Sequence, residues 1–124
     1  MFGKSKPFSG FAVNDLAKAK EFYGDTLGMQ VTEENDLLHV HLRGGGHVLI
    51  YPKPDHVPAG FTVLNFPVDD VEKAVDDLVA HGIEMERYEG FEADAKGIVH
   101  EGSVPFIAWF KDPSGNILSV VKNM

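Results

Sequence analysis

Two stretches of this chain correspond position by position. Phe11-Ala12-Val13-Asn14-Asp15-Leu16-Ala17-Lys18-Ala19 aligns with Phe66-Pro67-Val68-Asp69-Asp70-Val71-Glu72-Lys73-Ala74, with apolar, acidic and lysine positions in register. Self-similarity of this kind marks a fold assembled from copies of one supersecondary unit. In each copy an apolar strand runs into an amide or acidic cap, then into a helix that stops at a glycine. The first helix is expected from about Asp15 to Leu27, where Leu16, Ala19, Phe22, Tyr23 and Leu27 recur at helical spacing, with Asn14 as N-cap and Gly28 as the stop. The second is expected from about Asp70 to His81, with Val71, Ala74, Val75 and Leu78 as its stripe, Asp69 as cap and Gly82 as the stop.

After each helix the apolar period changes to two, the mark of strands with one buried face. Met29 to Glu34, Leu37 to Leu42 and His47 to Tyr51 follow the first helix, joined by hairpin turns at Asn35-Asp36 and Arg43-Gly44-Gly45-Gly46. Ile83 to Tyr88, Pro105 to Lys111 and Ile117 to Val121 follow the second, with Asp112-Pro113-Ser114-Gly115-Asn116 as the last turn. The expectation is an α+β fold, one domain over 1–124 made of two tandem βαβββ modules at 8–52 and 61–121. The halves differ in one respect. The second spends Glu89 to Pro105, with Gly90, Gly97 and Gly102, where the first spends Asn35-Asp36. Loops of that length are often lids or binding loops, and Tyr88, Phe91, Glu92 and Asp94 are its candidate ligand-facing residues.

The 124 residues carry 11 Lys and Arg against 19 Asp and Glu, a formal net charge of -8. That charge disfavours nucleic acid as a partner and leaves a small, cationic molecule as a conceivable ligand, although most of these carboxylates serve solubility. Cysteine is absent, which excludes disulfides, thiolate nucleophiles and cysteine-ligated zinc. The N-terminal Met1 to Pro7 lacks the apolar stretch of a secretory signal, and the longest apolar run, Val104 to Phe110, is too short for a bilayer. The expectation is a cytoplasmic protein with no membrane partner.

Val13-Asn14-Asp15-Leu16 before Glu21-Phe22-Tyr23, Thr26-Leu27-Gly28 after it, and Phe110-Lys111-Asp112-Pro113-Ser114-Gly115-Asn116 near the end resemble the vicinal oxygen chelate superfamily. That group contains glyoxalase I, bleomycin-resistance proteins, fosfomycin-resistance enzymes and extradiol dioxygenases. The resemblance covers Phe8 to Val121 and implies sheets that curve into a cup-like mixed sheet, helices packed outside, a ligand site in the concavity and a homodimer. In metal-dependent members the ligands are a His or Gln early in each module's first strand and a Glu in each last strand. Those positions fall here on Phe8, Tyr51, Val63 and Ser119, which do not supply the carboxylate and imidazole donors of a divalent metal site. Enzymatic activity is therefore left open.

With Phe8 and Tyr51 facing the cup, period two also turns Gly10, Ala12, His39, His41, His47, Leu49, Val63, Asn65, Ile107, Trp109, Ile117 and Ser119 inward. It sends Phe106 with Leu64, Phe66, Ala108, Phe110, Leu118 and Val120 to the core. The expected ligand-binding set is Phe8, His39, His41, Tyr51, Asn65, Trp109 and Ser119: apolar walls with a few convergent polar groups. Two readings follow. In the first, a bleomycin-resistance-like protein holds a small aromatic or cationic molecule without metal or other cofactor. In the second, a lyase or dioxygenase of the superfamily has moved one divalent metal ion to His39, His41 and His47.

Overall fold

The computed structural model of the protein describes residues 1–100 and 106–123, which divide into compact units at 1–57 and 58–124. The expected strand start at Pro105, Gly102 of the long loop and the rest of 101–105 lie outside the described residues.

The first unit runs β1 (Ser9–Val13), α1 (Leu16–Lys20), a π-helical turn (Glu21–Thr26), β2 (Gln30–Glu34), β3 (Leu37–His41) and β4 (His47–Pro52). Its sheet has the order β1-β4-β3-β2, with β1 parallel to β4 and the other pairs antiparallel. Phe11, Val13, Leu38, Val40, Val48 and Ile50 are buried on one face, and α1 packs against β3 and β4. Asn35 and Asp36 have φ of 54° and 60°, so the β2–β3 connection is the two-residue turn whose left-handed residues match strand twist.

The expected first helix differs in two ways. Its N-cap is Asp15, whose side chain accepts from the Lys18 backbone N–H at 3.0 Å, and not Asn14. It also stays α-helical only to Lys20 and then widens, with the Leu27 N–H donating to the Phe22 carbonyl five residues back. The aromatic pair explains the widening. A π-turn brings consecutive side chains closer in angle, and Phe22 and Tyr23 are both buried here with their rings edge to face at 5.1 Å.

The second unit runs β5 (Thr62–Val68), α2 (Val71–Ala80), β6 (Ile107–Lys111) and β7 (Ile117–Lys122). Its sheet has the order β5-β7-β6, with β5 parallel and β6 antiparallel to β7. Ala108, Phe110, Leu118 and Val120 are buried on one face, and α2, which buries Val71 and Val75, packs against β6 and β7. The cap is again one residue later than expected. Asp70 accepts from the Lys73 N–H at 3.0 Å, while Asp69 accepts from Lys122 and Asn123. Asp15 and Asp70 are equivalent in the repeat, so the correction preserves it.

The strand expected from Ile83 to Tyr88 does not form. That segment meets β6 at a single bridge, Glu86 to Trp109, because Val99 bridges the same side of β6 at Ile107. Two segments thus divide one short edge. Phe106, expected in the core, is 44% exposed, and the His100 ring lies edge-on to it at 4.3 Å. The Asp112-to-Asn116 turn is built around one carboxyl group. Oδ1 of Asp112 accepts from the Ser114 and Asn116 backbone N–H groups and Oδ2 from the Asn116 side-chain amide, each at 2.9 Å, with Asp112 and Asn116 buried.

Candidate functional site

In an antiparallel ladder, residues directly opposite each other share a face. The face of the first sheet away from α1 therefore carries Gln30, Thr32 and Glu34 from β2, opposite His41, His39 and Leu37 from β3, while β4 adds His47, Leu49 and Tyr51. Phe8, just before β1, stacks on His47 with ring centroids 4.6 Å apart and planes 26° apart, and His39 lies 5.3 Å from His47. Thr32 Oγ1 and His41 Nε2 share a hydrogen bond at 2.9 Å. Phe8 and Tyr51 are 57% and 40% exposed. Four of the residues expected to bind ligand, Phe8, His39, His41 and Tyr51, thus come together on one open surface.

On the second sheet the expected alternation fails at one place. A β-bulge in β5 takes Val63 out of register, so that Thr62 stands opposite Ile117 and Asn65 opposite Ser119. Thr62 accordingly joins the face that carries Trp109 and Ser119, and its hydroxyl accepts from Trp109 Nε1 at 3.1 Å. Strict period two misses Thr62, since nothing in the residue types announces the bulge. Ser119 is fully buried and donates to Asn65 Oδ1 at 2.5 Å, while Asn65 is exposed.

The loop residues Tyr88 and Phe91 pack on Trp109, with ring centroids 5.5 Å and 5.2 Å away. The Tyr88 hydroxyl is buried and has no hydrogen-bond partner among the described residues, and burial raises its pKa above that of an ordinary phenol. An unmet buried hydroxyl costs about 1–3 kcal/mol. Tyr88→Phe is therefore expected to leave the fold as stable or more stable by about 1 kcal/mol, read as a raised midpoint in urea unfolding; a lowered midpoint would show that the hydroxyl is satisfied.

Further along, the loop is anchored to the core. Ile98 and Val99 are buried, Ala93 bridges Val99, and Gly97 takes a φ of 85° that favours glycine. Asp94 organises this segment: Oδ1 accepts from the Lys96 and Ile98 N–H groups at 2.8 and 3.0 Å, and Oδ2 accepts from His100 Nε2 at 2.7 Å. Both oxygens thus accept from groups of the loop itself. Burial pulls its pKa up, but the His100 hydrogen bond and the Ile98 and Lys96 amides outweigh this and hold it below the ordinary 3.8. A lowered carboxyl pKa contributes stability that is present above the unfolded value and lost as pH falls through the folded one. Protection of the Ile98 and Val99 amides, relative to their intrinsic exchange at each pH, is thus expected to fall below about pH 4 in the native protein and not in Asp94→Asn; identical profiles in the two proteins would refute this role of Asp94.

The resemblance puts the superfamily's metal-ligand positions at Phe8, Tyr51, Val63 and Ser119, a set that contains no imidazole or carboxylate donor. His39, His41 and His47 share a face without forming a metal-binding group: among the described residues no three His, Asp or Glu side chains are placed to hold an ion. A groove of about 580 Å³ beside the π-turn is lined by Lys20, Glu21, Asp25, Met29, Val31 and Glu33. The Lys20–Glu33 ion pair at 3.3 Å belongs to it, and none of the expected site residues does.

Two modules of strand, helix and antiparallel strands, each with one sheet face free of its helix, define a class of paired-module proteins. Residues 8–120 match the Glyoxalase/Bleomycin resistance protein/Dioxygenase superfamily, and the chain belongs to it. No curated protein matches the sequence. Similar solved structures include a glyoxalase family protein from Enterococcus faecalis (24% identity, TM-score 0.69, covering 98% of this chain and 99% of that one). TnmS3, an antibiotic binding protein from Streptomyces sp. CB03234, is 22% identical with a TM-score of 0.68, and 98% of each chain is covered. A lactoylglutathione lyase from Agrobacterium tumefaciens is 18% identical with a TM-score of 0.65, covering 97% of this chain and 94% of that one. At these identities the likeness establishes the fold. No helix among the described residues is long and apolar enough to cross a membrane.

Proposed function

We propose that this protein binds a small, planar aromatic molecule without a metal and without chemical conversion. The observation that carries the reading is the aromatic group on β6. Trp109 is fixed by Thr62, flanked by Tyr88 and Phe91, and shares its sheet face with the Asn65–Ser119 pair. Flat apolar surface supplies affinity, and a polar pair beside it fixes orientation. The similarity to an antibiotic binding protein agrees with this reading. Trp109 is the sole tryptophan, so its fluorescence reports the site directly. Titration with a panel of aromatic antibiotics and metabolites is expected to give saturable quenching by at least one compound; no saturable change with any of them would overturn the proposal.

The protein is further proposed to act as a homodimer pairing across sheet edges. Strands β1 and β5, each hydrogen-bonded to one neighbour in its own sheet, offer such edges. Sedimentation equilibrium of the purified chain is expected to return the dimer mass, and a monomer at micromolar concentration would reject this.

A further inference from the structure

The free sheet face of the first unit has a chemistry of its own. We propose that it recognises the carboxylate of an aromatic acid, with His39 and His47 contacting the anion and Phe8 stacking on the aryl ring. The inference concerns the first unit by itself and goes beyond the reading of the Trp109 face in the second.

Three observations carry it. The ladder places His41 opposite His47 and sets His39 two residues along, so three imidazoles crowd one surface. None of the three has a carboxylate partner among the described residues, in contrast to His100, which is held by Asp94 at 2.7 Å. Charge is also divided unevenly along the chain. Residues 1–57 hold six Lys and Arg against seven Asp and Glu, while 58–124 hold five against twelve, so the net charge of -8 resides mainly in the second unit. The first unit, which has four of the six histidines, becomes cationic when they are protonated.

The groups around the imidazoles favour the same ligand. From β2, Gln30 and Thr32 face them, and Glu34 stands opposite Leu37 at the far hairpin end. From β4 comes the Tyr51 phenol, and β1 contributes only Gly10 and Ala12. Arg43 lies in the turn between His41 and His47. A protonated imidazole held against an aromatic ring gains from the ring's negative face, and the half-exposed Phe8 leaves surface for a second ring. A protonated imidazole attracts a carboxylate and a neutral one does not, so acid binding here strengthens when these rings carry a proton.

The test is imidazole NMR of the full chain titrated with benzoate, benzamide and benzylammonium. Benzoate is expected to move the His39 and His47 ring resonances and to bind about tenfold more weakly at about pH 8 than at about pH 5.5. Benzamide, of the same shape without charge, is expected to show little pH dependence and to bind about tenfold more weakly than benzoate at the lower pH. The His39→Gln/His47→Gln pair is expected to abolish that preference while the circular dichroism spectrum stays native. Equal binding of benzoate and benzamide would overturn the acid preference and leave the reading of the Trp109 face, which its own fluorescence titration tests, standing. Binding of benzylammonium ahead of benzoate would overturn it in favour of a cationic ligand, and binding of none of the three would overturn it as well.

Discussion

Asp112→Ala is expected to lower the stability of the second unit by about 3 kcal/mol and the melting temperature by about 10 °C. Three donors depend on this one side chain: the Ser114 and Asn116 backbone N–H groups and the Asn116 amide. Asp112, Ser114 and Asn116 are all buried, so water cannot replace the lost acceptor, and orphaned buried donors cost more than a mean hydrogen bond returns. The turn also sets the register of β6 against β7, where Lys111 pairs with Ile117 and Trp109 with Ser119. Loosening it therefore displaces the aromatic face together with the turn. Asp112→Asn keeps one acceptor oxygen and is expected to cost about half as much. Urea unfolding followed by circular dichroism measures both; an alanine variant within about 0.5 kcal/mol of the parent would show that the turn is held by something else.

Trp109→Ala is expected to weaken binding of the best aromatic ligand by about thirtyfold, close to the 2 kcal/mol typical of a central aromatic contact. The indole does three things at once: it donates to Thr62, packs Tyr88 and Phe91, and presents a flat surface beside Asn65. Trp109→Phe separates them, because it retains a ring and removes the donor. An intermediate loss of about threefold to fivefold is expected for it. Calorimetric titration reads both variants without relying on the deleted fluorophore. Retention of full affinity by the alanine variant, with the fold intact, would move the ligand away from β6.

Much of the local structure was legible in the chain. The repeat located both helices, Gly28 and Gly82 ended them with φ of 72° and 84°, and Asn35-Asp36 made the expected two-residue turn. These features depend on neighbours a few residues away, where residue type restricts the backbone directly. Phe8, His39, His41 and Tyr51 were also placed on one face correctly, since nothing interrupts period two in β3 and β4.

The departures arose where distant segments compete. Ile83 to Tyr88 has the residues of a strand, yet Val99 occupies part of the β6 edge it would have needed. Ile98 and Val99 looked like loop and are core, because Asp94 folds the segment back onto β6. Val63 and Thr62 exchanged places through a bulge that pairing with β7 imposes. The single-residue shift of both caps, from Asn14 to Asp15 and from Asp69 to Asp70, has a different origin: two adjacent polar residues can each cap a helix, and geometry selects one.

The sequence by itself determined the family, the two-module plan and the absence of cysteine chemistry, all of which are properties of residue identity and spacing. Only the tertiary structure decided that Asp94 organises its own loop, that Thr62 holds Trp109, and that the first unit gathers three imidazoles on one sheet face. Each of these depends on contacts between residues far apart in the chain or on which partner wins a shared edge, and no local pattern encodes the outcome of such a competition.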